Sequence, residues 1–394
     1  MGRFSVPQAG RECHGARVYG VRPREDPVPK GHAAVTRGGD NPGVEPETET
    51  TRGRSEVTID LRALRRNVRR LREVAAPAEL WAVVKADAYG HGANDAARTA
   101  LAEGAAALCV ASAREGVALR ARIPRGTRIL VMGPLDGGDE ALAQEHGLEV
   151  AVSRLPLPDG LAVHLKVDTG MGRYGLTAAE ALSVPPDRVA GVMSHLATAD
   201  EPDETFAREQ LEAFAALAAR FPDATAHLAN SAATLRFPEA RHDAVRCGVA
   251  LYGLDPFGRD PADQALAPVL SWRSRVARAR TLGPGESTGY GRRFVAERPT
   301  RIGLVPVGYA DGLRRGLTGT EVLVAGTRRR LVGTVSMDSF AVELGDEPEG
   351  ADVTIIGDGV LAEEHARVLG TINYEVTCGI RTPPERATRT TVDG

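Results

Sequence analysis

The chain has 394 residues, 42% hydrophobic and 26% charged, which is enough for two or three domains of an ordinary globular protein. A formal net charge of −3 leaves no basic footprint for nucleic acid, and no apolar run approaches the roughly 18 residues a membrane span needs. Cys13, Cys109, Cys247 and Cys378 show neither zinc spacing nor a disulfide framework, which points to a reducing, cytoplasmic setting.

Residues 1–54 mix Pro, Gly, Arg and Glu without periodicity and lack the apolar core of a signal peptide. They read as a disordered extension, or as the product of a start assigned too far upstream. From Glu56 onward, short apolar runs alternate with helical stretches. The first four runs are L-W-A-V-V (80–84), A-L-C-V-A (107–111), R-I-L-V-M (128–132) and L-E-V-A-V (148–152). The next four are A-V-H-L-K-V (162–167), R-V-A-G-V-M (188–193), T-A-H-L-A (225–229) and D-A-V-R-C (243–247). Helices are predicted near 94–103, 113–121, 138–145 and 206–220.

Runs apolar at successive positions suit strands buried on both faces of a parallel sheet. Eight of them alternating with helices predict an α/β fold, a (β/α)8 barrel over residues 55–255, in preference to an open doubly wound sheet. The link S-R-L-P-L-P-D-G-L (153–161) is too short for a crossover helix, so one helix is expected to be missing. Over 256–394 the alternating segments and Gly-Pro turns predict an antiparallel β domain with one helix near 361–369.

In such barrels chemistry gathers at the C-terminal strand ends. The first strand ends at Lys85, followed by Tyr89. The fifth leads through Lys166 and Asp168 to Arg173, and the sixth runs into Ser194 and His195. The seventh ends at Asn230 and Ser231, and the eighth carries Arg246 into Gly248 and Val249. Strands two to four end in residues of little reactivity. Only three of the 49 basic residues are lysine, namely Lys30, Lys85 and Lys166. A lysine that survives such a bias is suited to work a guanidinium cannot do: losing its proton and holding a carbonyl as a Schiff base. The loops after strands seven and eight offer a serine hydroxyl and backbone N–H groups for a phosphate. An Asn-Ser pair is also an ordinary helix start. No Walker loop is present, which argues against a nucleotide.

Nine motifs in order resemble the alanine racemases: A-V-V-K-A-D-A-Y-G-H-G, H-L-K-V-D-T-G-M-G-R-Y-G, S-H-L-A-T-A-D, A-N-S-A-A, R-C-G-V-A-L-Y-G, G-Y-G-R-R-F, V-G-Y-A-D-G, S-M-D and T-I-N-Y-E-V. The resemblance covers roughly residues 55–390. It implies a pyridoxal 5'-phosphate enzyme with a barrel, a C-terminal β domain and a homodimeric site that racemises alanine for peptidoglycan. By this resemblance Lys85 binds the cofactor and is one base, while Tyr290 of a partner subunit is the other. His195 and Arg246 are the expected neighbours of Tyr290, and Arg246 also faces the ring nitrogen. Tyr89, Asn230, Ser231, Gly248, Val249 and Tyr374 fall in the cofactor-binding set. Arg173 and the backbone N–H of Met337 are expected at the substrate carboxylate. Lys166 matches a position that some members carbamylate; the alternative is an unmodified lysine.

Tyr309 and Asp338 match positions near the entrance, and His91 is expected to order its loop. Asp87 stands where asparagine is common, and the extension has no counterpart. A racemase of broader or serine preference, a non-catalytic carrier of the cofactor and a decarboxylase are the alternatives. A carrier would lack Tyr290, and a decarboxylase would place an acid where Arg246 stands.

Overall fold

A computed structural model describes residues 53–393. The predicted extension lies outside the described residues apart from its last two positions. The described chain opens with β1 (Ser55–Asp60), and the Asp60 carboxylate accepts from the N–H groups of Arg62 and Ala63 to start α1 (Leu61–Ala75). Leu61, Leu64, Val68, Leu71 and Ala75 fall on one helical face and are buried.

The barrel follows. Its elements are β2 (Glu79–Val83), the single turn α2 (Lys85–Tyr89), α3 (Ala93–Ala102), β3 (Ala107–Val110), α4 (Ala113–Arg120), β4 (Arg128–Val131), α5 (Asp139–Glu145), β5 (Glu149–Val152) and β6 (Val163–Lys166). It continues through α6 (Ala178–Leu182), β7 (Gly191–Met193), α7 (Thr205–Ala218), β8 (Thr225–His227), α8 (Ser231–Arg236) and β9 (Ala244–Cys247). The eight strands β2 to β9 are parallel and close as β9 pairs with β2, as the apolar runs predict. Residues 153–161 hold no helix, and α6 has only five residues, so that side of the barrel is thinly covered.

The rest of the chain builds a mainly β domain. Its strands are β10 (Leu270–Arg275), β11 (Arg278–Leu282), β12 (Ser287–Thr288), β13 (Phe294–Val295), β14 (Thr300–Val305), β15 (Glu321–Val324), β16 (Thr327–Val332), β17 (Phe340–Glu343) and β18 (Asp352–Ile356). Two helices, α9 (Ala362–Leu369) and α10 (Asn373–Cys378), precede β19 (Ala387–Val392). Nine strands form one sheet in the order β11-β14-β17-β16-β15-β18-β10-β1-β19, with β12 and β13 as a separate ribbon.

This corrects the expected domain boundary. β1 falls among the residues expected in the barrel, yet it pairs with β10 and β19 in the β domain's sheet, so the described chain begins in one domain, builds the other, and returns. A second correction is α10, where only one helix was expected. Buried Asn373 seats it: its side-chain N–H groups donate to Asp255 O and Glu363 Oε1, both at 2.8 Å, while Asp255 N donates to the same carboxylate at 3.0 Å. The link ties α9 and α10 to the chain leaving the barrel, beside the C-terminal ends of its strands. No helix among the described residues is long and apolar enough to cross a membrane.

Candidate active site

The mouth of the barrel opens into a cavity of about 580 Å3. Lys85, the first residue after β2 and Val84, lines it. The turn that follows is left-handed over four non-glycine residues, with φ of 52° at Ala86, 50° at Asp87, 55° at Ala88 and 57° at Tyr89. Each costs about 1–2 kcal/mol relative to right-handed backbone, so the turn persists only because it is held from several sides. Ala86 N donates to Glu115 at 2.9 Å. Asp87 accepts from Ala93 N at 2.8 Å and pairs with Arg389 of β19 at 2.6 Å. His91 Nδ1 lies 2.9 Å from Ala88 O and 3.1 Å from Tyr89 O, so it carries the proton and orders the loop as expected. Gly90, at φ +87°, lets α10 approach: a Cβ there would stand 2.6 Å from Thr377 O.

Around Lys85 the cavity collects Tyr89, Lys166, Arg173, His195, Asn230, Ser231, Arg246, Gly248, Val249 and Tyr374. Lys85 and Lys166 are the two lysines among the described residues, and both face this one space. Burial, then the Arg173 charge, lowers the Lys85 amine below its ordinary value. Burial, then Arg173, Arg246 and Lys85, lowers Lys166 to about 8. His195 falls to about 3, through burial and then Arg246, and is therefore neutral at pH 7. Its backbone is fixed by Gln210 of α7, whose amide donates to His195 O at 3.2 Å and accepts from Ala197 N at 2.8 Å.

Arg246 is buried, and burial lowers it to about 10, still protonated at neutral pH. Its Nη1 donates to His227 Nδ1 at 2.9 Å and His227 O at 2.6 Å. Nη2 donates to Ser194 O at 2.7 Å and Leu228 O at 3.0 Å. All Nη hydrogens are thus committed, and Nε–H alone has no acceptor among the described residues.

At another wall Asn230, not Ser231, caps α8 by accepting from Ala233 N at 2.9 Å. Ser231 Oγ accepts from Gly248 N at 3.0 Å. The N–H groups of Ser231 and Val249 and the hydroxyls of Tyr89 and Tyr374 have no acceptor among the described residues. Gly248 is required here, since a Cβ would lie 2.4 Å from Tyr89 Oη. This donor-rich wall fits a phosphate, the neighbouring amine fits an aldehyde, and Arg246 Nε fits a ring acceptor.

Two predicted site residues do not line this cavity. Tyr290, between β12 and β13, is 70% exposed, and Met337 is 53% exposed. Tyr309 stands close by: its N–H donates to Ser336 O at 3.0 Å, and Thr334 Oγ1 donates to Tyr290 O at 2.9 Å. Sequence reasoning missed several lining residues. Ala111, Met132 and Gly133, at strand ends set aside as unreactive, form a wall, and Tyr174, Ile372, Glu375 and Cys378 close the site from the side. Tyr174 was within reach, since it sits inside a quoted motif and its ring lies 5.5 Å from Lys166 Nζ.

A closed parallel barrel with a poised lysine at a strand end, joined to a mainly β domain, defines a class of two-domain barrel enzymes. Residues 59–256 match the model for the alanine racemase N-terminal domain, and 269–388 match that for the alanine racemase C-terminal domain. The chain belongs to the alanine racemase family. It is 40% identical over 373 residues to an alanine racemase of Mycolicibacterium smegmatis, covering 85% of this chain and 94% of that one. Among solved structures, the alanine racemase of D-cycloserine-producing Streptomyces lavendulae has a TM-score of 0.81 at 37% identity, covering 87% of this chain and 98% of that one. The alanine racemase of Bartonella henselae, solved with covalently bound pyridoxal phosphate, has a TM-score of 0.78 at 28% identity, covering 86% and 99%.

Proposed function

We propose that this chain interconverts L-alanine and D-alanine with pyridoxal 5'-phosphate as cofactor, as a cytoplasmic homodimer, supplying D-alanine for peptidoglycan. The observation that carries the reading is the meeting of Lys85 and Arg246 in one cavity: an amine that burial holds below its ordinary pKa, and a guanidinium with one unused donor. Lys85 Nζ would hold the cofactor through its aldehyde group. Ser231, Val249, Tyr89 and Tyr374 donate to its phosphate, with Asn230 and Gly248 shaping that wall. Arg246 Nε donates to the ring nitrogen. When bound, pyridoxal phosphate supplies the electron sink that makes a substrate α-hydrogen removable.

Racemisation needs proton exchange on both faces of a planar carbon. Lys85 Nζ serves one face. Tyr290 Oη, outside its own chain's cavity and widely exposed, is assigned to the other face in a partner subunit's site, beside His195 and Arg246. Arg173 and the Met337 N–H hold the substrate carboxylate. Arg246 donates without surrendering its proton, which leaves the sink weaker than a carboxylate partner would and favours proton return over decarboxylation. Lys166, with a neutral fraction available near pH 8, is suited to add CO2 and brace Arg173 as an anion. Native mass spectrometry should find the added mass on Lys166, and bare lysine in fresh protein would remove that part.

The test is incubation with L-alanine in deuterated water. Deuterium at the α-carbon together with D-alanine is the expected result. Exchange absent, or amine formed with loss of CO2, would overturn the reading.

A further inference from the structure

Beneath the cavity floor, the barrel interior holds a line of polar groups that the proposed chemistry does not use. Arg246 Nη1 is 2.9 Å from His227 Nδ1, His227 Nε2 is 2.8 Å from His164 Nδ1, and His164 Nε2 is 3.0 Å from Glu149 Oε2. Arg128 grips the same carboxylate with Nε at 2.7 Å and Nη2 at 3.1 Å. Both histidines are fully buried, and Trp81 packs against them with ring centroids at 4.6 and 5.8 Å. The backbone is cut to fit: a Cβ at position 191 would stand 2.1 Å from His164 Nδ1, and Gly191 supplies none. At the far end Arg128 and Glu79 line a separate pocket, so the chain of contacts runs from the active site to the opposite mouth of the barrel.

The direction of every bond follows from the two ends. A guanidinium only donates, and an ionised carboxylate only accepts. His227 Nδ1 must therefore accept, which puts its hydrogen on Nε2. His164 Nδ1 must accept that hydrogen in turn, which puts its own hydrogen on Nε2, facing Glu149. Protonating either ring would set hydrogen against hydrogen. Burial, outweighed by the bonds from His164 and Arg128, leaves Glu149 at about 2 and so ionised, while burial and the Arg246 charge hold His227 neutral.

We propose that Glu149, His164 and His227 are positioning residues that hold Arg246 in one orientation, with its Nη hydrogens committed and Nε–H alone presented to the cavity. The chain links the buried guanidinium to a carboxylate through two neutral imidazoles, each locked in its Nε2–H tautomer. The proposal rests on the cofactor reading above and adds to it the origin of the ring-nitrogen donor's alignment.

Neutron diffraction of the deuterium-exchanged holoenzyme reads the chain directly. Deuterium on Nε2 and none on Nδ1 of both rings is expected, and deuterium on Nδ1 of either ring overturns the proposal. That result leaves the cofactor reading untouched, since the latter is tested separately by whether borohydride deposits a pyridoxyl group on Lys85. A second arm uses variants that still take the Lys85 label. His164→Leu keeps neither bond and is expected to shift the absorbance maximum of the bound cofactor and lower kcat about tenfold or more, with KM little changed. His164→Gln retains an acceptor and a donor and is expected to restore the wild-type band and most of kcat. An unshifted band with unchanged kcat in His164→Leu overturns the proposal.

Discussion

The barrel mouth and the exposed edge of the β domain differ in how they treat reactive side chains. At the mouth, residues from seven of the eight strand ends converge within one chain, where burial and then the Arg173 charge lower the amines of Lys85 and Lys166. On the β domain, Tyr290, Tyr309 and Met337 stand in the open. One region is preassembled and the other leaves these side chains exposed, as the proposed sharing of the site between subunits requires.

The largest expected effect tests the preassembled half. Lys85→Arg keeps the charge but cannot condense with an aldehyde. It should lose the borohydride-fixed pyridoxyl label, and racemisation should fall by more than the ~10⁴-fold upper range of general acid–base catalysis. Retention of the label would break the assignment of the cofactor's amine.

Tyr290→Phe comes next and probes the exposed half. The label on Lys85 should remain while turnover falls by about 10²–10⁴-fold, measured in both directions by chiral analysis. Mixing then sharpens the comparison. A hybrid of Lys85→Arg and Tyr290→Phe chains contains one site with both native groups if the phenol crosses between subunits, so activity should return. If Tyr290 served its own chain, each hybrid site would lack one group and the mixture would stay inactive.

In CO2-free buffer, where Lys166 is a free amine, it gives a smaller effect with a definite sign. Its amine falls from an ordinary 10.5 to about 8 in the folded chain, so between those values the unfolded chain binds more protons. The contribution of this group to stability therefore rises with pH across that window. Lys166→Met should flatten the rise in melting temperature between pH 8 and pH 10, and a steepened rise would contradict the sign.

Much of this arrangement was legible in sequence because its signals are local. Eight apolar runs mark eight strands, and side chains at or just past most of the run ends reach the mouth, so Lys85, Lys166, His195, Ser231 and Arg246 were found by position. What was not legible depends on partners far along the chain. The membership of β1 in the β domain's sheet is decided by Leu270–Arg275 and Ala387–Val392, and nothing in residues 55–60 encodes that choice. The helix of residues 61–75 does carry a clear period, which a reading in terms of strands passes over. With six residues α10 is too short to show one, so Cys378 went unnoticed, while Ile372 and Glu375 sit inside the quoted T-I-N-Y-E-V without being singled out. The facing of His164 and His227 depends on the barrel's inward and outward alternation, which the closed register fixes.

The smallest expected effect falls on the contact that joins the two regions at the strained turn. Asp87 Oδ1 accepts from Ala93 N, and Oδ2 meets Arg389 of β19. In Asp87→Asn the amide oxygen can still cap Ala93, so the left-handed backbone keeps its support, while the amide nitrogen faces Arg389 and cannot accept from it. The ion pair is partly exposed, with side-chain exposures of 53% and 36%, and such pairs contribute about 0–1 kcal/mol. Denaturant unfolding should therefore register a loss within that range, diminished further by salt, with turnover unchanged. Asp87→Ala removes the cap as well and should cost about 1 kcal/mol more. A large loss in the asparagine variant would mean that the β domain's grip through Arg389, rather than the barrel's own hydrogen bonds, holds the turn beside Lys85.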